Sequence, residues 1–385
     1  MSRPDSRLLT LRGNLRPTQK YRAGVIGLGW MGMLADVAVV YERGSYSVDD
    51  VERPTPELDV HREFHYHQNV GGANIPHTWA EVFHDRPDVE LVAGAERDPQ
   101  RLKAFGERYG VDALYTDAEE MLHNESLDIV AVATNVKGRA DLTCLAVECG
   151  AKAIAIEKPI AHTLHEVDRI VIACAAAGVA RAAGAAPAHP PTDGRAQGRR
   201  ADGATRGVVS IEAEAPASQK PHWMYFVDDM PLWVVGVGDR ERRDSGSDEF
   251  VGQGLAQTRG EAVVHFRKGA GLVRVSGTSG EIVLDSNPGS HWRLWQDVDI
   301  GTGVRRVEIP WPAPQFEGGY NAVCGLSDLI DCLEGRLVEP KNSGRRAAIA
   351  LEVEIALKQS VANGAARVDL PLKDRSLGLN YDWFR

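Results

Sequence analysis

Residues 23–32, AGVIGLGWMG, decide the architecture. A short apolar run, Ala23 to Leu28, breaks into a glycine cluster, which reads as a buried strand ending in a tight turn and opening a helix. The glycines stand as Gly27-x-Gly29-x-x-Gly32. In a strand–turn–helix setting this spacing has a physical meaning. The first glycine permits the turn, the second lets a pyrophosphate approach the backbone, and the third lets the helix pack closely on the strand. The motif predicts a dinucleotide site that includes Gly27, Gly29, Trp30, Met31 and Gly32.

Outward from this stretch the pattern repeats. VELVAGAE (89–96), LDIVAVAT (127–134) and AKAIAIEKP (151–159) are further buried strands, each followed by a helical run. Strands alternating with helices predict a parallel sheet covered on both faces. From Val208 the pattern changes to closely spaced alternating segments, VVSIEAEAP, AVVHFRK, GLVRVSG and GEIVLDS, with glycine-rich turns between them. These predict a mostly antiparallel sheet. A helical tail follows at 322–335 and 345–364. The fold class is therefore α/β: an N-terminal doubly wound Rossmann domain over 1–160, then an α+β domain over 161–385 with an open sheet. The helix at 345–364 is placed to pack back on the first domain.

Two stretches interrupt this order. An insertion at about 33–76 carries ERPTPELDVHREFHYHQNV, rich in histidine, aromatics and proline. Long insertions of this kind are commonly lids or binding loops, so His65 and His67 are candidate substrate contacts. His61, Glu63, His65 and His67 alternate as metal ligands can, but no cysteine or second cluster supports them, and the reading assigns no metal. In residues 181–207, 21 of 27 positions are Ala, Gly, Arg or Pro, a composition unable to bury an apolar face. His189 is its one candidate substrate residue.

Composition sets the remaining bounds. At 385 residues the chain is long enough for two domains. The net charge of −10 argues against a nucleic-acid partner, and no apolar run is long enough to cross a bilayer. Five cysteines without a Cys-x-x-Cys pair suit a reducing, cytoplasmic compartment.

Chemistry concentrates at the strand ends. Glu96 closes the second strand, where an acidic residue binds ribose hydroxyls. It favours NAD, while Arg97 beside it keeps NADP open. Thr134 and Asn135 end the third strand. Glu157-Lys158-Pro159 ends the fourth, at the edge where open α/β sheets bind ligands, and burial there would depress the lysine pKa enough for proton exchange.

GVIGLGWMG, AERDP, AVATNVKGRADL, AIEKP and the closing run DLIDCLEGRLVEPKNSGRRAAIALEVEIALKQSVANGAARVDLPL together resemble the glucose–fructose oxidoreductase/inositol dehydrogenase (Gfo/Idh/MocA) family. The resemblance implies NAD(H) or NADP(H), oxidation of a sugar or cyclitol hydroxyl with Lys158 at the reacting carbon, and homodimers or homotetramers. It also marks this chain as atypical. Thr134-Asn135-Val136 stands where the family usually has Thr-Pro-Asn, and Arg139 replaces a common histidine. The nearest candidate for the family's His-x-x-Asp is His222, but Tyr225 stands three residues on in place of the Asp, with Asp228 and Asp229 nearby. His222 is the candidate acid/base, Asp228 a candidate substrate contact, and His77 falls where the family often has a histidine in a helix. Two rival readings stay open: an enzyme that retains its cofactor for elimination or glycoside cleavage, and a cofactor-binding protein without catalysis.

Overall fold

The computed structural model describes residues 20–42, 45–51, 76–183, 207–218, 221–227, 229–238, 249–268, 272–285, 291–310 and 321–380. The first sheet begins with β1 (Tyr21–Ile26), and a separate antiparallel hairpin follows, β2 (Ala38–Glu42) with β3 (Ser45–Val51). The sheet continues through β4 (Val89–Ala95), β5 (Ala113–Tyr115), β6 (Ile129–Val132), β7 (Ala153–Ile156) and β8 (Ala180–Ala183). Its order is β5-β4-β1-β6-β7-β8, all parallel. The chain winds from β1 to one side and then returns to the other, so the order reverses beside β1. β6 and β7 are buried along their whole length, as continuous apolar strands must be when helices cover both faces.

The helices between these strands carry their boundaries in sequence. Asp98 caps the helix Pro99–Tyr109 by accepting from the Gln100 and Arg101 amides, and left-handed Gly110 ends it. Thr163 and Glu166 form a reciprocal capping box at the start of Leu164–Ala177. The element after the glycine cluster is shorter than its motif predicts. It is a π-helical turn, Trp30–Leu34, extended by only three α-helical residues, Ala35–Val37. His77 precedes the helix Trp79–Asp85, not within it. The His77 and Thr78 amides both donate to the buried Asp36 carboxylate, which ties the end of the glycine-loop helix to the far end of the insertion.

The second sheet comprises β9 (Val208–Glu214), β10 (Trp233–Val237), β11 (Gln253–Gln257), β12 (Val263–Arg267), β13 (Leu272–Gly277), β14 (Gly280–Asp285), β15 (His291–Asp299), β16 (Val304–Ile309) and β17 (Val368–Asp369). Its order is β16-β15-β14-β13-β9-β12-β11-β10-β17, antiparallel except between β9 and β12. The helix Gly344–Ala362 lies on β10 and also reaches the helix Leu164–Ala177 and β8. Ile349 to Leu357 are all buried along it, so one core runs from β6 and β7 through this helix to Ile211, Val264 and Phe266 of the second sheet. The helix Asn321–Leu333 packs instead on the first sheet, with Leu326, Leu329 and Ile330 beside Trp79 and Phe83. No helix of the described residues is long and apolar enough to cross a membrane.

Candidate active site

The carboxyl ends of β4, β1, β6 and β7, four adjacent parallel strands, bring the sequence-derived candidates together at one edge. This is the crevice where open parallel sheets receive ligands, at the place where the strand order reverses. Gly27 follows β1 with φ +86°, and a Cβ there would meet the backbone of Ala133 and Thr134 at 3.0–3.1 Å. A Cβ on Gly32 would stand 1.9 Å from the Gly27 carbonyl oxygen. Gly29, between them, has nothing within 4 Å of its would-be Cβ. Two glycines are thus demanded by the chain itself, whereas the third faces open space, as a backbone approached by a pyrophosphate requires. The loop fits a dinucleotide on this ground. Trp30 is exposed and Met31 half-buried beside it.

Glu96 follows β4. Its Oε2 accepts from the Leu28 amide at 2.8 Å and its Oε1 from the Asp98 amide at 3.2 Å. The carboxylate therefore braces the glycine loop, and its remaining lone pairs are available to hydroxyl donors. Arg97 beside it is exposed. After β6, the Thr134 hydroxyl donates to the Asn135 carbonyl at 3.0 Å, and Asn135 is exposed.

After β7 the Glu-Lys-Pro turn is built with more constraint. Glu157 is buried, and its Oε1 accepts from the Trp79 indole N–H at 2.9 Å. Lys158 is half-buried before a cis peptide to Pro159. Burial holds its pKa below the ordinary lysine value; Glu157 and Glu249 oppose that shift, and Arg139 adds to it. Arg139 explains its own departure from the family pattern. Its guanidinium is buried and donates to the carbonyls of Thr134, Glu157 and Pro159, with 2.6 Å to Glu157. Burial lowers its pKa to about 10 against the opposing charge of Glu157. One planar fork thereby joins the ends of β6 and β7, geometry that imidazole cannot reproduce.

Across the turn, Lys158, Pro159 and Ile160 share a small pocket with Ser218, Pro221 and Leu351 of the second sheet's side. His222 follows Pro221 in a 3-10 turn and is half-buried; Trp223 beside it is fully buried, edge-on to Phe266 at 5.2 Å between ring centroids. His61, Glu63, His65, His67, His189 and Asp228 lie outside the described residues, while Asp229 is exposed and ion-paired with Arg259 at 3.1 Å. Among the described residues no group of three or more His, Cys, Asp or Glu is arranged to hold a metal. Sequence reading overlooked Trp79, Ser218 and Glu354, which reach this region from distant segments and carry no local motif.

Residues 70–184 match the oxidoreductase family with an NAD-binding Rossmann fold (Gfo/Idh/MocA). The D-apiose dehydrogenase of Paraburkholderia graminis is 39% identical over 106 residues, which are 28% of this chain and 27% of that protein. The match to this curated relative thus spans about a quarter of its length. Among solved structures, the aldose-aldose oxidoreductase from Caulobacter crescentus, complexed with glycerol, superposes with a TM-score of 0.65 at 18% identity, over 91% of this chain and all of the other. The WlbA dehydrogenase from Bordetella pertussis, in complex with NADH and UDP-GlcNAcA, superposes at 0.59 and 16% identity, over 92% of this chain and all of the other. The fold of these enzymes is shared along nearly the whole chain. Residues 70–184 are thus similar to the Gfo/Idh/MocA oxidoreductase family, and the fold of such enzymes extends over nearly the whole chain.

Proposed function

We propose that the chain is a cytoplasmic NAD(P)-dependent dehydrogenase acting on a hydroxyl-bearing carbon of a sugar, cyclitol or related polyol. The observation that carries this reading is the convergence of the glycine loop, Glu96, Thr134 and Glu157-Lys158 on one crevice edge. Gly27, Gly29, Trp30, Met31 and Gly32 would hold the pyrophosphate side, and Glu96 the ribose, favouring NAD. Arg97 is the residue that would meet a 2′-phosphate. When bound, the nicotinamide supplies the hydride chemistry. The protein supplies position and a proton path. Lys158, its pKa lowered by burial, is the acceptor of the hydroxyl proton, with His222, the residue after Pro221 of the pocket wall, as a second acid/base. Glu157, fixed by Trp79, and Arg139 hold the turn that aims the lysine. The sugar-dehydrogenase relative and the sugar-bound structural neighbour support the substrate class. The odd number of cysteines, with no Cys-x-x-Cys pair among them, supports the compartment. The two sheets correspond to a cofactor domain and a substrate domain.

A thermal-shift titration with NAD, NADH, NADP and NADPH tests the site. A nucleotide at a hundred times its dissociation constant should stabilise the protein by about 2.7 kcal/mol. Lys158→Ala should retain this shift while losing about 100-fold or more in turnover of a polyol. Protein freed of cofactor that responds to none of the four nucleotides would defeat the reading, and cofactor turnover without net NAD(P)H would favour an elimination enzyme.

We propose further that the protein is a homo-oligomer joined through the open face of the second sheet. Val235, Val237 and Leu255 stand there beside His265 and Arg267, with Val237 and Leu255 exposed. Val237→Glu with Leu255→Glu should reduce the mass measured by light scattering to that of a single chain; an unchanged mass would place the interface elsewhere.

A further inference from the structure

Two consecutive residues, Thr78 and Trp79, are anchored to different halves of the crevice. Asp36, fully buried in the short helix Ala35–Val37 after the glycine loop, accepts from the Thr78 amide at 2.8 Å, the Thr78 hydroxyl at 2.7 Å and the His77 amide at 3.1 Å. Trp79, also buried, donates its indole N–H to Glu157 Oε1 at 2.9 Å. The first carboxylate follows β1 and the second follows β7, and β6 lies between these strands in the sheet. Glu157 also accepts from the Lys158 amide through Oε2 at 3.3 Å, so the series of bonds ends on the lysine's own backbone.

Satisfying buried donors does not by itself call for carboxylates. A backbone carbonyl would serve the indole or the Thr78 amide, whereas taking a carboxylate out of water is costly. What two buried carboxylates on adjacent residues provide is fixed placement. The indole has little room to yield. Its ring centroid lies 5.9 Å from that of Phe83, and the helix Asn321–Leu333 comes so near that a Cβ on Gly325 would stand 3.3 Å from Trp79 Cη2. Beside it, the Thr78 hydroxyl accepts from the Glu81 amide at 3.4 Å and so starts the helix Trp79–Asp85. A close-packed interior of this kind passes a displacement on to the next group.

We propose that Thr78 and Trp79 tie the glycine loop to the Glu-Lys-Pro turn, and that Trp79 is the positioning residue that fixes Lys158 relative to whatever occupies the loop. The catalytic consequence rests on Lys158 being the proton-exchanging group; the tie itself does not. Thr78→Val removes the hydroxyl at one end while keeping the shape of the side chain, and Thr78→Ser keeps the hydroxyl. Trp79→Phe removes the indole N–H at the other end and keeps an aromatic ring in the core.

Hydrogen exchange of the full-length, nucleotide-free protein, read by mass spectrometry, follows the two halves separately. Thr78→Val should speed exchange in residues 153–164 about tenfold or more, although the lost bonds are to Asp36 and Glu81. Thr78→Ser should restore the native rate. Trp79→Phe should speed exchange in the glycine loop, residues 24–37, by about the same factor, although its lost bond is to Glu157. The helix Gly344–Ala362 should keep its native rate in all three variants, which separates a broken tie from a general loss of stability. Where Thr78→Val does not fold by circular dichroism, Asp36→Asn tests the same end. Faster exchange confined to residues 24–37 in Thr78→Val and to 153–164 in Trp79→Phe overturns the tie, as does equal acceleration everywhere. In polyol turnover Thr78→Val should lower kcat about fivefold or more, with the polyol KM within about twofold. An unchanged kcat overturns the positioning role. Exchange needs neither nucleotide nor substrate, so failure to form NAD(P)H would count against the dehydrogenase reading alone.

Discussion

Gly32→Ala should lose the stabilisation by NAD(P)(H) altogether, whereas Gly29→Ala should lose it without disturbing the empty protein. The two substitutions add the same methyl group a few ångströms apart. At Gly32 the new carbon would stand 1.9 Å from the Gly27 carbonyl oxygen, where about 3.5 Å is needed. The obstacle is backbone, which no side-chain rotation relieves. Either the loop or the Trp30–Leu34 turn must move, at a cost of about 1–3 kcal/mol to the protein itself. At Gly29 nothing of the chain lies within 4 Å, and φ is −73°, so alanine is tolerated there by the backbone. Its methyl group projects only into the space proposed for the pyrophosphate. Thermal unfolding with and without nucleotide separates the two effects. If Gly29→Ala retained the full nucleotide shift, the pyrophosphate would not lie over this loop.

Arg139→Ala should destabilise the protein by about 1–3 kcal/mol or more, the cost of leaving buried acceptors unsatisfied. Its guanidinium is the donor to three carbonyls, those of Thr134, Glu157 and Pro159, and alanine leaves them buried around a cavity. Arg139→Lys should recover little, because a single ammonium on a flexible stem cannot span three acceptors held by two strand ends. Urea unfolding measures both variants. Equal stability of Arg139→Lys and the native protein would mean that charge, and not the planar fork, holds the Glu-Lys-Pro turn.

Much of this protein is written locally. The glycine motif, the runs VELVAGAE, LDIVAVAT and AIAI, and the caps at Asp98, Thr163 and Gly178 identify the parallel sheet because each is a near-neighbour effect. The short strands were harder to read. Ala113–Tyr115 is three residues long, and Ala180–Ala183 opens the alanine-rich stretch whose composition argues against packed structure. Pairing with β4 and β7 supplies what those sequences lack. In the second sheet, β10, β11, β15 and β16 carry weak local signals, since Gly236 and Gly254 interrupt two of them and β15 and β16 are rich in charged residues.

The sequence by itself determined the fold class, the crevice edge, and Glu96 and Lys158 as its candidate chemistry, because strand ends and glycine turns are properties of contiguous residues. Only the tertiary structure decided how the lysine is held. Trp79 reaches Glu157 across 78 positions, and Glu354 reaches Ser218 across 136. Arg139, read from sequence as a missing histidine, became a structural fork once the ends of two strands were brought to it. Burial sets the pKa of Lys158 and Glu354, and burial is created only when the helix Gly344–Ala362 closes between the two sheets.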